Sequence, residues 1–402
     1  MIVLQGSDNS LFCYVNRMLK FKLEITMTKY LIYHFKKLYT LNFIRNCPPR
    51  KVKLMGILFV SCGSGGEKIL ATGFLEHENI RDDINLGYAI NTSAMDHERV
   101  KTLFRLANMN LPSNLILKTI GKGLGSGKDI SMGLKAYGDY REDIRQELKE
   151  FSEKRNLDIA FVFSCLGGGC GTMVTGEVCR DLKETLNIGV IPIVTLPFRR
   201  EGGIFLSNAR KGLEHLLEFD SYPLISDNER NSKYVSSVSS GVRRANRLML
   251  NLISRLVDLV KYGDFAITPM DIQDLLRIVR PSCGLFTTLE MDKQTDLEKG
   301  WKKLLEENVS VEAKPIEKTN AFVVFQGPEF PQKIADEITK HLRKKFRVHN
   351  ILQTVLENDF EKFSVTAIIY GLAVDTIKPK FEQKGSWLEG SWTPDYAIKK
   401  IK

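Results

Sequence analysis

The stretch that decides the fold of this chain reads Leu166-Gly167-Gly168-Gly169-Cys170-Gly171-Thr172. It follows an apolar run over residues 159–163 that predicts a buried strand, and it precedes a helical pattern over residues 173–186. Glycine lets the backbone come close to a phosphate, and the first amides of a helix point at such an anion with the positive end of the dipole behind them. The stretch therefore predicts a phosphate site, although a tight strand-to-helix turn without a ligand would use the same residues.

Two further glycine-rich segments lie upstream, each where a strand or its loop should end. They read Cys62-Gly63-Ser64-Gly65-Gly66 and Gly121-Lys122-Gly123-Leu124-Gly125-Ser126-Gly127-Lys128. On one α/β sheet the three segments would converge at the carboxyl edge, where nucleotides bind. Their combination favours the phosphate site over the empty turn.

Composition places the chain among large globular proteins. Its 402 residues are 43% hydrophobic and 26% charged, which is enough for two domains and an extension. The apolar runs are too short for a membrane helix and the N-terminus has no signal-peptide pattern, so we expect a cytoplasmic protein. The seven cysteines form no paired CxxC sets, so we predict neither a disulfide framework nor a protein-bound metal site.

The net charge of +10 is distributed unevenly along the chain. Residues 1–54 contain ten Lys/Arg and two acidic residues, a net charge of +8, which leaves +2 for the remaining 348 residues. A nearly neutral body argues against a nucleic-acid groove. The basic, aromatic N-terminal extension has two interpretations: an arm that contacts a membrane surface or an adaptor, or an appendage without a role before Met55. The absence of regular helical periodicity favours the second.

Strand and helix patterns alternate from Met55 onward and predict an α/β fold built on a doubly wound parallel sheet. A long central helix is expected next, and then a smaller α+β domain in which helix 330–346 lies between strands 322–326 and 363–371. The predicted domains are an extension, a Rossmann-like domain, the central helix, the C-terminal domain and a tail, over residues 1–54, 55–234, 235–262, 263–380 and 381–402 respectively.

The position of the richest glycine loop distinguishes between nucleotide folds. A dinucleotide-binding fold has its glycine motif after the first strand, and a Walker A loop ends in Gly-Lys-Ser/Thr. Here the loop comes more than a hundred residues after the first strand and lacks that lysine. The arrangement instead resembles the tubulin/FtsZ superfamily, whose signature is GGGTG[ST]G. Residues 167–173 fit it with two departures, Cys170 and Met173, and the similarity covers nearly all of residues 55–375.

Other segments of this family are recognisable in the same order and spacing. They are the first nucleotide loop, the AxNT segment Ala89-Ile90-Asn91-Thr92, the GLGAG-like loop Gly123-Leu124-Gly125-Ser126-Gly127, and Thr195-Leu196-Pro197-Phe198 followed by Glu201-Gly202. The resemblance implies that the nucleotide contacts Gly63, Ser64, Gly65, Gly66, Asn91, Gly125, Ser126, Gly127, Gly167, Gly168, Gly169, Cys170, Gly171, Thr172 and, through its ribose, Glu201.

For the base, the resemblance implies two asparagines. Asn228, in Asp227-Asn228-Glu229, and Asn246, on the central helix, match the family's base-binding positions, and an amide can pair with the donor and acceptor edge of guanine. GTP and GDP are therefore implied over ATP. Phe205 replaces an arginine of FtsZ and Val242 an aromatic that stacks on guanine, so we expect weaker or slower nucleotide handling than in FtsZ.

The catalytic element implied by the resemblance is an acidic loop after the central helix. Asp271 and Asp274 match the two aspartates of the family's NxDxxD pattern, whereas its asparagine is Pro269. Two carboxylates three residues apart on a helical turn face one side, so they can polarise a water and hold a cation such as Mg²⁺ near the γ-phosphate. Acidic residues favoured by a helix dipole are the alternative interpretation.

The resemblance thus implies a divergent FtsZ-like GTPase that assembles head to tail with itself and hydrolyses GTP at the subunit contact, in cell division or cytoskeletal organisation. Cys170, Phe205 and Pro269 leave open a nucleotide-binding scaffold that does not hydrolyse GTP. A nicotinamide-dependent oxidoreductase of Rossmann type is a remote alternative, because no early GxGxxG is present.

Overall fold

The structure, a computed structural model, describes residues 56–263, 266, 269–270, 272–279, 281–313, 315–357 and 360–372. The chain divides after Leu54 into two units, and all described residues lie in the second. The expected N-terminal extension, the C-terminal tail and Asp271 therefore lie outside the described residues. No helix in the described part is both long enough and apolar enough to cross a membrane.

Ten strands form one sheet in the order β3-β2-β1-β4-β5-β6-β7-β10-β8-β9. The first six are parallel in the doubly wound order 3-2-1-4-5-6, so the predicted fold class is confirmed. The strands are β1 Gly56–Cys62, β2 Leu86–Asn91, β3 Leu115–Thr119, β4 Leu157–Cys165, β5 Gly189–Leu196, β6 Leu224–Asp227, β7 Cys283–Met291, β8 Pro315–Gln326, β9 Val348–Leu356 and β10 Phe363–Leu372.

Eleven helices accompany these strands in the described residues. Four of them begin at a side-chain cap; for example, Asp129 accepts the Ser131 amide before the helix Ile130–Arg155, and Ser237 accepts the Ser240 amide before the helix Val238–Tyr262. The helices are α1 Gly63–Glu76, α2 Glu78–Asp83, α3 Ala94–Leu106, α4 Ile130–Arg155, α5 Gly171–Asp181, α6 Gly203–Glu218, α7 Asn228–Ser232, α8 Val238–Tyr262, α9 Ile272–Ile278, α10 Gln294–Glu307 and α11 Gln332–Phe346. A π-helical turn, Leu182–Leu186, extends α5.

Two hydrophobic cores lie on opposite faces of the sheet, because successive side chains of a strand point to opposite faces. In β1, Leu58 and Val60 join the core under α4, α5 and α6, whereas Ile57 and Phe59 join the core under α1, α3 and α8. A strand buried on both faces reads as a continuous apolar run, which is why β1, β4 and β5 were predictable from sequence.

The C-terminal strands continue the same sheet. β7 pairs in parallel with β6 through Leu224 and Gly284, β10 is antiparallel to both β7 and β8, and β9 is parallel to β8. The central helix α8 crosses the second core, where Leu252, Ile253 and Leu256 are fully buried. The helical pattern predicted for residues 235–262 corresponds to this helix.

Candidate nucleotide site

The reversal of strand order between β1 and β4 defines a crevice at the carboxyl edge of the sheet. The chain moves from β1 outward to β2 and β3, and then returns to place β4 on the other side of β1. The connections after β1 and β4 therefore leave in opposite directions, which opens the space in which α/β proteins bind ligands. Helices α1 and α5 both begin there, so the amides of two helix N-termini face one crevice.

These two helix starts approach each other closely. A Cβ built on Gly63 would lie 2.8 Å from the Gly171 nitrogen, and Gly63 has a φ of +72° that side chains rarely adopt. The sequence predicts a loop for the first glycine segment, but in the structure Gly63, Ser64, Gly65 and Gly66 form the first turn of α1. Likewise α5 begins at Gly171 rather than at residue 173. Each helix start is thus closer to its strand than predicted.

The glycine loop between β4 and α5 is held in shape by Thr172. Its hydroxyl accepts the Gly167 amide at 3.0 Å and donates to the Gly168 carbonyl at 2.5 Å. A Cβ on Gly168 would meet no atom within 4 Å, so this residue borders open space. A Cβ on Gly169, in contrast, would collide with Ser126 and lie 2.8 Å from the Asp129 nitrogen. Gly168 is the residue at which the loop leaves most room for a phosphate.

The segment after β3 closes the crevice from one side. The Gly125 amide donates to the Thr92 carbonyl at 2.7 Å, and the Ala94 amide to the Gly123 carbonyl at 2.9 Å. Ser126 is buried against the glycine loop, and Gly127, the next-to-last residue of the segment, has a left-handed conformation. The structure therefore brings the three predicted glycine segments together at one edge.

A buried polar network lies behind the first turn of α1. The Asn91 side chain donates to Glu67 Oε2 at 2.7 Å, and its oxygen accepts the Ser93 amide at 3.2 Å. Glu67 also pairs with His97, and both side chains are almost fully buried. Asn91 is consequently engaged by the protein itself. Sequence reasoning missed Glu67 and His97, although a glutamate directly after the glycine turn is a signal that could have drawn attention.

Two groups in this region have shifted pKa values. Burial tends to raise the pKa of Asp96, but hydrogen bonds from Ser64 and Ser93 and the charge of Arg99 outweigh it and lower the value. Burial raises the pKa of Cys170 to about 11, so its thiol stays protonated near neutral pH. We call the part of the crevice bordered by the first turn of α1, the segment after β3 and the glycine loop the cradle. Cys170 contributes a small, neutral side chain to the cradle, and Asp96 contributes a negative charge that its neighbours stabilise.

The residues expected at the ribose and base follow β5 and β6. The Phe198 amide donates to Glu201 Oε1 at 2.9 Å, which shapes the short turn Arg199–Glu201, and the Glu201 side chain is otherwise exposed. Asn228 begins α7, and its Oδ1 is buried without a hydrogen-bond partner among the described residues. Asn246 is half-buried on α8. Asn228 therefore offers an acceptor that the described protein atoms do not use.

Asp274 lies far from this edge. It belongs to α9, is 23% exposed, and pairs with Arg277 at 2.8 Å. Leu276 of the same helix contacts Gly189, the first residue of β5. The eight residues of β5 separate the two edges of the sheet by about 25 Å, at roughly 3.3 Å per residue. Asp274 is thus at the amino edge, and the glycine segments are at the carboxyl edge.

In the described part of the chain, no three His, Cys, Asp or Glu residues are grouped as a metal site. A Mg²⁺ at the crevice would take most of its ligands from phosphate oxygens and water, as Mg²⁺ usually does. Its chemistry there would be to offset phosphate charge.

Known proteins resemble this chain in sequence and in fold. Residues 56–235 match the model described as Tubulin/FtsZ family, GTPase domain. The cell division protein FtsZ 1 of Methanocaldococcus jannaschii is 27% identical over 206 residues, 51% of each chain, so that match spans about half the length of the relative. The cell division protein FtsZ of Aquifex aeolicus is 27% identical over 347 residues, covering 83% of this chain and 85% of that protein.

The fold similarity extends over most of the chain. The GTPγS-bound protofilament of CetZ2 from Haloferax volcanii has a TM-score of 0.67 at 16% identity, over 86% of this chain and 99% of that one. The chain therefore resembles the tubulin/FtsZ superfamily in sequence and in fold, as the sequence motifs indicated. The part that matches the GTPase-domain model of that family is residues 56–235.

Proposed function

We propose that this chain binds GTP in the crevice, polymerises head to tail into filaments, and hydrolyses GTP at the contact between subunits, in cell division or cytoskeletal organisation. The observation that carries the proposal is the close approach of two helix N-termini at Gly63 and Gly171. Together with the glycine loop, they present backbone amides to a polyphosphate, and the loop borders open space at Gly168.

The unused acceptor on Asn228 supports guanine as the base. Guanine presents two neighbouring N–H donors on its pairing edge, which a buried amide oxygen can accept. A buried acceptor without a partner costs about 1–3 kcal/mol, and a ligand that satisfies it recovers that free energy. Asn228 would therefore favour GTP and GDP over adenine nucleotides.

The location of Asp274 supports hydrolysis in trans. A side chain about 25 Å from the cradle, by the strand length above, cannot reach the nucleotide bound by its own subunit. Stacking the amino edge of one subunit on the carboxyl edge of the next would bring Asp271 and Asp274 to the neighbour's γ-phosphate. One carboxylate would then accept a proton from water as its oxygen attacks the γ-phosphorus and GDP leaves, while Mg²⁺ offsets phosphate charge. Such a heterologous contact repeats without closing.

Exposed apolar side chains around the crevice also support assembly. They belong to the first turns of α3, α4 and α6 and to the segment after β3: Met95 is 65% exposed, Met132 54%, Ile204 68% and Leu124 88%. Large apolar side chains grouped at one edge mark an interaction surface. A second copy of the chain would cover them.

Replacing Leu124 and Ile204 together with glutamine is expected to raise the critical concentration for assembly at least tenfold. Burying one such side chain contributes roughly 1.5–3 kcal/mol, and about 1.4 kcal/mol corresponds to a factor of ten. Sedimentation over a series of protein concentrations with GTP measures the change.

The matched control for that variant is Leu103→Gln. Leu103 is 39% exposed on the same helix as Met95 but lies two turns further along α3, away from the edge. Its critical concentration should stay within about twofold of wild type, the size of an ordinary surface substitution. Equal critical concentrations for the double variant and wild type would contradict assembly through this edge.

Sedimentation with GTP and with GDP, alongside phosphate release, tests the whole proposal. We expect pelleting with GTP, loss of the pellet as phosphate appears, and turnover that rises more than linearly with protein concentration. Pelleting without phosphate release would favour the non-hydrolysing scaffold. Competition of GTP binding by NAD rather than by GDP would favour the oxidoreductase.

A further inference from the structure

Lys128 has a backbone conformation that its residue type disfavours. Its φ is +69°, in the left-handed region, at the end of the segment after β3. A side chain there costs about 1–3 kcal/mol and persists only where its surroundings impose it. The surroundings are visible: Asn208 Nδ2 donates to the Lys128 carbonyl at 2.9 Å. The same amide donates to the Gly167 carbonyl at 3.2 Å.

Asn208 therefore links two of the three glycine segments. It is 7% exposed on α6; its hydrogen bond to Gly167 is buried and its hydrogen bond to Lys128 is partly buried. One bond orients the end of the segment after β3, and the other orients the glycine loop after β4. Removing the amide would leave two carbonyls without this donor and would release the two segments from each other.

The side chain of Lys128 extends along the glycine loop. Its ammonium nitrogen lies 3.6 Å from the centroid of the Phe205 ring. That ring packs on Gly167, since a Cβ built on Gly167 would lie 3.2 Å from Phe205 Cδ1. The backbone of Lys128 packs on Gly169, since a Cβ built on Gly169 would lie 2.8 Å from the Lys128 Cα. Backbone and side chain of Lys128 thus both border the loop that surrounds the proposed phosphate position.

The ammonium of Lys128 remains available for an anion. Two other cations at this edge are engaged by acids: Arg99 pairs with Asp96 at 2.6 Å, and Arg199 with Glu229 at 3.4 Å. Lys128 has no acidic partner among the described residues and rests on an aromatic ring. A cation–π contact at an exposed site contributes only about 0.5–1 kcal/mol, less than a charge-assisted hydrogen bond to phosphate.

We propose that Lys128 is a phosphate-binding residue of this site and that Asn208 is the positioning residue that holds its backbone and side chain against the glycine loop. The proposal rests on the proposed function, because it takes the ligand to be a nucleoside triphosphate. Phe205 then serves as the surface on which the ammonium lies before the phosphate arrives.

The test is the affinity for GTP, GDP and phosphate-free guanosine, measured by displacement of a fluorescent GTP analogue at several salt concentrations. Lys128→Met should weaken GTP binding by roughly 10- to 100-fold and flatten its salt dependence, because a charge-assisted contact is lost. Guanosine affinity should not change. Lys128→Arg should recover most of the GTP affinity, and Asn208→Leu, which keeps the volume, should weaken GTP binding without weakening that of guanosine.

Lys135→Met is the matched control, because Lys135 is an exposed lysine in the second turn of α4 and has no part in the site. Its GTP affinity should stay within about twofold of wild type. If wild type binds GTP and Lys128→Met binds it equally well, the inference is wrong although the proposed function stands. If wild type does not bind GTP, the proposed function itself fails. A melting temperature for each variant separates unfolding from lost contacts.

Discussion

Replacing Asp274 with alanine is expected to lower GTP turnover by about 100-fold or more while GTP-dependent filaments still form. A positioned carboxylate that acts on water contributes roughly 10²–10⁴-fold to a rate. The substitution should cost little stability, because Asp274 is a partly exposed residue paired with Arg277 and such pairs contribute about 0–1 kcal/mol. Phosphate release and sedimentation measured on the same samples give both quantities.

Asp336→Ala is the matched control for this prediction. Asp336 is an exposed helical aspartate that accepts a hydrogen bond from Gln332 at 2.9 Å on α11. It should turn over GTP as wild type does. Unchanged phosphate release by the Asp274 variant would remove that residue from the catalytic assignment. Loss of filaments as well would assign it to the contact rather than to the chemistry.

Replacing Gly133 with alanine is expected to weaken GTP binding by roughly tenfold to 100-fold. Gly133 lies in the first turns of α4, and a Cβ there would collide with the Gly169 carbonyl and lie 2.9 Å from the Cys170 Cα. Overpacking of this kind costs about 1–3 kcal/mol, which the protein can relieve by moving the glycine loop. Isothermal titration with GTP measures the loss.

The same helix supplies a matched control. A Cβ on Gly138 would meet no atom within 4 Å, so Gly138→Ala should bind GTP as wild type does and raise stability by up to about 1 kcal/mol. If both alanine variants bind GTP equally, the collision at Gly133 does not reach the loop.

Mixing the Gly133 variant with the Asp274 variant tests whether the site is shared between subunits. The Gly133 variant keeps Asp274 and the Asp274 variant keeps the cradle, so a shared site should restore part of the GTP turnover.

The elements with strong periodic patterns could be predicted from the sequence. Strands β1, β4 and β5 each contain a continuous apolar run because both faces of the sheet are covered, and α8 has a regular apolar stripe. Strand β3 was missed because its apolar run, Leu115-Ile116-Leu117, is only three residues long, and four of its five residues are only partly buried. Strand β9 pairs on one side only, at the other end of the sheet, and its mixed burial hides the pattern in the same way.

The parts of the candidate site that depend on local sequence patterns could be predicted, and the parts that depend on long-range packing could not. Glycine segments after strands are local signals, and the sheet topology that unites them follows from a general rule. The contacts of Glu67 with His97, and of Asn208 with Lys128, join residues 30 and 80 positions apart. Such pairs depend on how helices pack on the sheet, which no local pattern specifies. The first glycine segment was mistaken for a loop because helix propensity penalises glycine, whereas here three glycines begin a helix where the backbones of two elements nearly touch.

The separation of Asp274 from the cradle gives the proposed filament two chemically different ends. At one end the last subunit presents a nucleotide with no carboxylates above it, and at the other the last subunit presents carboxylates with no nucleotide below them. Only interior nucleotides would be cleaved, so the terminal GTP would have the longest lifetime. The two ends would then differ in nucleotide state, and older interior subunits would carry GDP, because of the asymmetry of the subunit alone and without any added factor.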